Sequence, residues 1–162
     1  MTSSNGNDRI NVLFVCLGNI CRSPMAEAVF RDLVAKKGLS DHFTIQSAGM
    51  GDWHLGEPAH RGTREVLKRH DIDPSGLLAK SVTQSALDQA DYIVAMDAEN
   101  LSDLRAWQVD HAKLTRILDY TEGLDVRDVP DPYYDGRFEL VYELIRMGSE
   151  GLLKHIREEK AL

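Results

Sequence analysis

Ile10-Asn11-Val12-Leu13-Phe14-Val15-Cys16-Leu17-Gly18-Asn19-Ile20-Cys21-Arg22-Ser23-Pro24-Met25-Ala26-Glu27-Ala28 reads as a strand, a tight loop and a helix in succession. Ile10 to Val15 is short, mostly apolar and rich in β-branched residues, as expected of a central parallel strand covered on both faces. Pro24 stands in the first turn of the helix, where proline is tolerated. Behind it Met25, Val29 and Leu33, flanked by Ala26, Phe30 and Val34, recur at helical spacing. The loop between, Leu17 to Arg22, is bracketed by Cys16 and Ser23.

Outward from this unit the strand–helix alternation continues. Lys36-Lys37-Gly38 stops the first helix with basic charge and then glycine. Phe43 to Ser47 alternates apolar and polar residues as a second strand, ended by Ala48-Gly49-Met50-Gly51. Pro58 to His70 is expected to form the second helix, followed by turn chemistry from Asp71 to Gly76. Thr83 to Leu87 reads as one helical turn and Asp91 to Met96 as the third strand. Asp97 reads as the N-cap of a third helix carrying Leu101 and Leu104. Leu114 to Leu118 is the expected fourth strand, and Asp119 to Gly136 a long polar loop. The last helix carries Phe138, Val141, Tyr142, Ile145, Leu152, Leu153 and Ile156 on one face. This order implies an α/β fold with a parallel, doubly wound sheet. Ligands bind such sheets beyond the carboxyl ends of the strands, which is where the Cys16 loop falls if its strand is central.

The chain of 162 residues fits one domain, with Ile10 to Leu162 as its body and Met1 to Arg9 as a polar, flexible N-terminal extension lacking the apolar core of a signal peptide. A formal charge of −7 argues against nucleic acid or an anionic membrane as partner. No run approaches a membrane span. Both cysteines lie inside the loop, so none staples the fold, which suits a reducing, cytoplasmic setting. The histidines show no metal-ligand spacing, so no metal or other cofactor is expected.

The loop itself carries chemistry. A loop feeding a helix N-terminus turns unpaired backbone N–H groups toward the positive end of the helix dipole, which suits a phosphate-sized dianion. Leu17, Gly18, Asn19, Ile20, Cys21, Arg22 and Ser23 would form that cradle, with Gly18 and Asn19 best able to adopt left-handed backbone. Arg22 adds a planar fork for two phosphate oxygens. Cys16, beneath the phosphorus, is favoured as thiolate by the same field. A proton donor for the leaving oxygen is also needed. Asp125, Asp128, Asp131 and Asp135 of the late loop all qualify by pattern.

Cys-Leu-Gly-Asn-Ile-Cys-Arg-Ser-Pro, set between this strand and this helix, resembles the signature loop of the low-molecular-weight protein tyrosine phosphatases, and the likeness extends from Ile10 to about Ile156. The resemblance implies a single flavodoxin-like domain whose four-stranded parallel sheet has the order 2-1-3-4, with helices on both faces. Val129-Pro130-Asp131-Pro132-Tyr133-Tyr134 resembles the family's acid loop and so singles out Asp131. The implied activity is metal-free hydrolysis of protein phosphotyrosine, and of small aryl phosphates, through a phosphocysteine on Cys16. Leu17, Trp53, Tyr133 and Tyr134 match the family's pocket walls, and Asn19, Ser23 and Ser47 its supporting network. A histidine that usually completes this network aligns with Leu77, a departure. Cys21 has two readings: a partner for oxidised Cys16 in a protective disulfide, or a small buried loop residue. Ile20 favours the tyrosine branch, because relatives preferring phosphoarginine carry threonine there. Thioredoxin-coupled arsenate reductase, with the same loop, would need cysteines beyond it, and a phosphotyrosine-binding module would be expected to lose Cys16, Arg22 or Asp131. The implied partners are phosphotyrosine-bearing proteins and a cognate tyrosine kinase, with the chain a monomer or weak homodimer.

Overall fold

A computed structural model describes residues 9–162. Ile10–Cys16 forms β1 and Phe43–Gly49 forms β2, paired in parallel from Ile10 opposite Phe43 to Cys16 opposite Gly49. On its other edge β1 pairs in parallel with β3, Tyr92–Ala95, which in turn pairs with β4, Leu114–Arg116. The order is β2-β1-β3-β4, so β1 is central and its carboxyl end lies where the order reverses.

Because side chains alternate along a strand, β1 serves two cores. Val12, Phe14 and Cys16 face α1 (Arg22–Lys36), α2 (Arg61–Arg69) and α6 (Phe138–Lys160). Leu13 and Val15 face α3 (Gln84–Gln89) and α4 (Ala98–Leu104), through Leu87, Leu101 and Leu104. On the first side Phe14, Phe30 and Phe43 meet edge to face, with centroids 5.6 and 5.7 Å apart. Apolar side chains on both faces explain why β1 lacks the apolar–polar alternation of a half-exposed strand. Among the described residues no helix is long and apolar enough to cross a membrane.

Three expectations are corrected. Helix α2 begins at Arg61 rather than Pro58, because Pro58 is held in an antiparallel bridge with Leu78 and His60 is the N-cap, its ring accepting from Gly62 N–H. Strand β4 stops at Arg116, where Asp119 Oδ2 accepts the Arg116 N–H at 2.8 Å and turns Ile117–Tyr120 into a 3₁₀ turn. The long polar loop contains a further helical turn, α5 (Pro132–Asp135), capped by Asp131. The expected flexible extension lies outside the described residues except for Arg9, which donates to Thr44 Oγ1 at 3.0 Å and to the Ser40 carbonyl at 3.1 Å.

Candidate active site

The segment from Cys16 to Ser23 is held by its carbonyls. Those of Cys16 and Leu17 accept from Met50 and Gly51 N–H at 2.9 Å each, and that of Ile20 from His60 N–H at 2.7 Å. The Cys21 carbonyl accepts from Thr63 Oγ1 at 3.0 Å. Among the described residues, no protein group accepts from the N–H groups of Gly18, Ile20, Cys21, Arg22 or Ser23, which are therefore available to an anion.

Asn19 takes the left-handed backbone at φ 56°. Its side chain is fully used: Nδ2 donates to Ser23 Oγ at 2.8 Å and Ser47 Oγ at 3.0 Å, while Oδ1 accepts from Lys80 N–H at 2.8 Å. Gly18 is not left-handed, contrary to expectation, and its lack of a side chain serves space instead: a Cβ there would lie 3.2 Å from His54 Cδ2. Gly49 is needed for the same reason, since its Cβ would come within 3.0 Å of the Leu17 carbonyl oxygen. The end of β2 thus presses directly on the loop.

Cys16 Sγ lies 2.9 Å from Ser23 Oγ and accepts from Asn19 N–H at 3.3 Å. Cys21 differs. Burial first, then the negative charges of Cys16 and Asp131, push its thiol up to about 12, so it remains protonated at neutral pH. Its neighbours Ile20 and Ala79 are buried and apolar, with Phe138 packed against them.

Arg22 is 2% exposed, and its Nη1 donates to Asp97 Oδ2 at 2.6 Å and the Val129 carbonyl at 2.9 Å. Burial disfavours the guanidinium charge, but Cys16, Asp97 and Asp131 outweigh it and hold the pKa above the ordinary arginine value. Arg22 Nη2 stands 3.5 Å from Asp131 Oδ2, while Asp131 Oδ1 accepts from Tyr133 N–H at 3.0 Å. The other candidate aspartates sit elsewhere: Asp128 pairs with Arg116 and Asp135 with Arg137, and neither these nor Asp125 line the cleft.

That cleft, of about 490 Å³, is lined by Cys16, Leu17, Gly18, Ile20, Cys21 and Arg22 below, and by Trp53, His54, Asp131, Tyr133 and Tyr134 around its mouth. Asn19, Ser23 and Ser47 stand behind it as the loop's buried support. A larger cleft of about 660 Å³ near Leu33, Lys37 and Arg157 contains none of these groups. The arrangement brings a cysteine sulfur, a guanidinium, a loop of free N–H groups and a carboxyl group to one cleft.

A model of the low molecular weight phosphotyrosine protein phosphatases matches residues 11–162. The chain belongs to this family. It is 56% identical over 157 residues to the low molecular weight protein-tyrosine-phosphatase YfkJ of Bacillus subtilis, covering 94% of this chain and 99% of that one. The crystal structure of YfkJ superposes with a TM-score of 0.92 at 55% identity, covering 94% and 97% of the two chains. The protein-tyrosine-phosphatase PtpA of Staphylococcus haemolyticus is 40% identical over 94% of this chain and 97% of its own. A Drosophila arginine phosphatase has the same fold, with a TM-score of 0.83 at 32% identity over 90% of this chain and 97% of that one. The protein is therefore a cysteine-based protein tyrosine phosphatase.

Within this phosphatase the sequence reading missed four contributors. Asp97 was legible as a cap, its Oδ1 accepting Asn100 N–H at 2.8 Å, but its hold on Arg22 joins residues 75 positions apart. Glu27 Oε1 accepts from Ser47 Oγ at 2.6 Å, and its place one helical turn beyond Ser23 was an available signal. The Lys80 N–H, a backbone group, left no trace in side-chain pattern. Leu77, where the family histidine was expected, is buried and apolar, so the network closes through Glu27 and Lys80 instead. His54 enters the cleft wall beside Trp53.

Proposed function

We propose that this phosphatase hydrolyses phosphotyrosine in proteins, and small aryl phosphates, by two displacements at phosphorus. The Cys16 thiolate attacks in line while the Arg22 guanidinium and the N–H groups of Gly18, Ile20, Cys21, Arg22 and Ser23 hold the equatorial oxygens. The S–P bond forms, the P–O bond to the aryl group breaks, and Asp131 gives its proton to the departing phenolate. Water then attacks the phosphocysteine, Asp131 takes its proton, and thiolate and inorganic phosphate leave. Ser23 supports the sulfur as it departs. Positive charge comes from Arg22 and backbone dipoles, so the mechanism requires no metal or cofactor.

One observation carries this reading: Cys16 and Asp131 face one cleft, with the Arg22 guanidinium between an acid 3.5 Å away and a loop of unclaimed N–H groups. Leu17, Trp53, Tyr133 and Tyr134 supply walls for an aryl ring, and Ile20 supports phosphotyrosine over phosphoarginine. We place the enzyme, as residues 10–162, in a reducing cytoplasm as a monomer or weak homodimer, acting on proteins phosphorylated by a cognate tyrosine kinase.

The test is hydrolysis of p-nitrophenyl phosphate in EDTA, for wild type and Cys16→Ser, beside phosphotyrosine and phosphoarginine peptides. Metal-free activity lost in Cys16→Ser, with preference for the phosphotyrosine peptide, is expected. Activity surviving Cys16→Ser would sink the mechanism, and preference for phosphoarginine would reassign the substrate.

A further inference from the structure

Tyr133 couples the acid loop to the rest of the site. Its N–H donates to Asp131 Oδ1 at 3.0 Å, so the carboxylate and this peptide group move together. Its ring is touched by two histidines that the mechanism above does not use. His54 approaches with centroids 5.9 Å apart and planes at 50°, and His60 meets it edge to face at 5.7 Å and 72°.

His60 is itself fixed from three directions. Its N–H donates to the Ile20 carbonyl of the phosphate loop at 2.7 Å. Its Nδ1 accepts from Gly62 N–H at 2.9 Å, capping α2. Its ring stacks on Phe138, the first residue of α6, at 5.0 Å and 23°. Aspartate or serine would cap the helix as well or better. Neither would reach the Tyr133 ring. An imidazole is the side chain that performs both tasks, and it does so without lining the cleft.

We propose that His60 is a positioning residue for proton transfer: through the Tyr133 ring and N–H it sets the Asp131 carboxyl against Arg22 and the phosphate loop. This rests on the reading of Asp131 as the general acid. Beyond the buried Val129 and Pro132 the loop is exposed at this point, Tyr133 at 47% and Tyr134 at 79%. An edge-to-face contact of this kind biases a docked loop over an undocked one by about two- to tenfold. Loss of the ring should therefore slow only the step that needs the proton.

The experiment measures kcat/KM, which reports the first displacement, on phenyl phosphate and on p-nitrophenyl phosphate. The first leaving group needs a proton and the second, a stable phenolate, needs it far less. His60→Asn keeps a helix cap and removes the ring. Its thermal midpoint is expected to stay near wild type, with kcat/KM on phenyl phosphate falling by up to about tenfold and on p-nitrophenyl phosphate by at most about twofold. His60→Phe keeps a ring and removes the cap acceptor; its midpoint is expected to drop while the ratio of the two substrates stays near wild type. Equal losses on both substrates in His60→Asn, or the same ratio change in His60→Phe, would overturn the proposal. Asp131→Ala, run beside them, separates the two readings. If it shows no leaving-group dependence, the assignment of the acid falls and this inference with it; if it does and His60→Asn does not, only the inference falls.

Discussion

On one side of the cleft, Asn19, Arg22 and Ser23 are at most 2% exposed and every polar atom of the Asn19 side chain has a partner. On the other, Tyr134 is 79% exposed, and Asp131 is held by its own capping bond and a 3.5 Å approach to Arg22. The phosphate loop is thus built into the core, whereas the acid loop rests on it through Val129, whose N–H donates to the Met96 carbonyl at 2.9 Å and whose carbonyl accepts from Arg22. The difference follows from what each must do. An anion cradle works only if its dipoles are aligned before the charge arrives, so it is worth burying and satisfying completely. A proton donor must admit a protein-borne aryl group beside it, so its loop stays at the surface.

The largest expected effect breaks the buried side. Cys16→Ser removes the nucleophile, and steady-state hydrolysis of p-nitrophenyl phosphate should fall to the assay background. On the exposed side Asp131→Ala should lower kcat/KM for phenyl phosphate by ~10²–10⁴, and a loss below tenfold would show that the acid is elsewhere. Asp97→Asn probes the link between the two. Asparagine still caps α4, but the charge on the Arg22 partner is gone, a change of about 1.5–3 kcal/mol or roughly ten- to a hundredfold in kcat/KM. If kcat/KM holds while the thermal midpoint falls, Asp97 is a cap and nothing more. Tyr134→Ala, at the mouth, should raise KM for a phosphotyrosine peptide severalfold, in line with the ~1 kcal/mol of an aromatic contact, and titration with the peptide would reveal it.

The smallest effect sharpens the contrast through pH. The native state keeps the Cys21 thiol protonated, pushed up from 9.0 to about 12 by burial and then by Cys16 and Asp131. The unfolded chain releases that proton at lower pH, so the native state binds more protons in this window. Stability is therefore intact below about pH 9 and declines as pH rises toward about 12. Urea midpoints measured across that range should show a shallower alkaline decline in Cys21→Ala than in wild type. Tyr92, Tyr120 and Tyr142, raised first of all by burial, would account for the remainder.

The sequence by itself determined whatever depends on neighbours along the chain. The apolar run Ile10 to Val15, the loop from Cys16 to Ser23 and the helical spacing behind Pro24 specify a strand, a nest and a helix within one unit, and strand–helix alternation then specifies a parallel sheet. Asp97 as a cap was a local feature of the same kind, whereas Pro58 misled the start of the second helix because its bridge to Leu78 joins distant segments. Tertiary structure decided the rest. Pattern left four acidic residues open in the late loop, and family likeness, not spacing, chose Asp131. Only the fold turns that carboxylate toward Arg22 and sends Asp128 and Asp135 to arginines elsewhere. Likewise only the fold brings Asp97 to Arg22, Glu27 to Ser47, and the Lys80 N–H to Asn19. Hydrogen bonds across such separations are set by the register and packing of β1, β2 and β3, and no residue pattern along the chain encodes them.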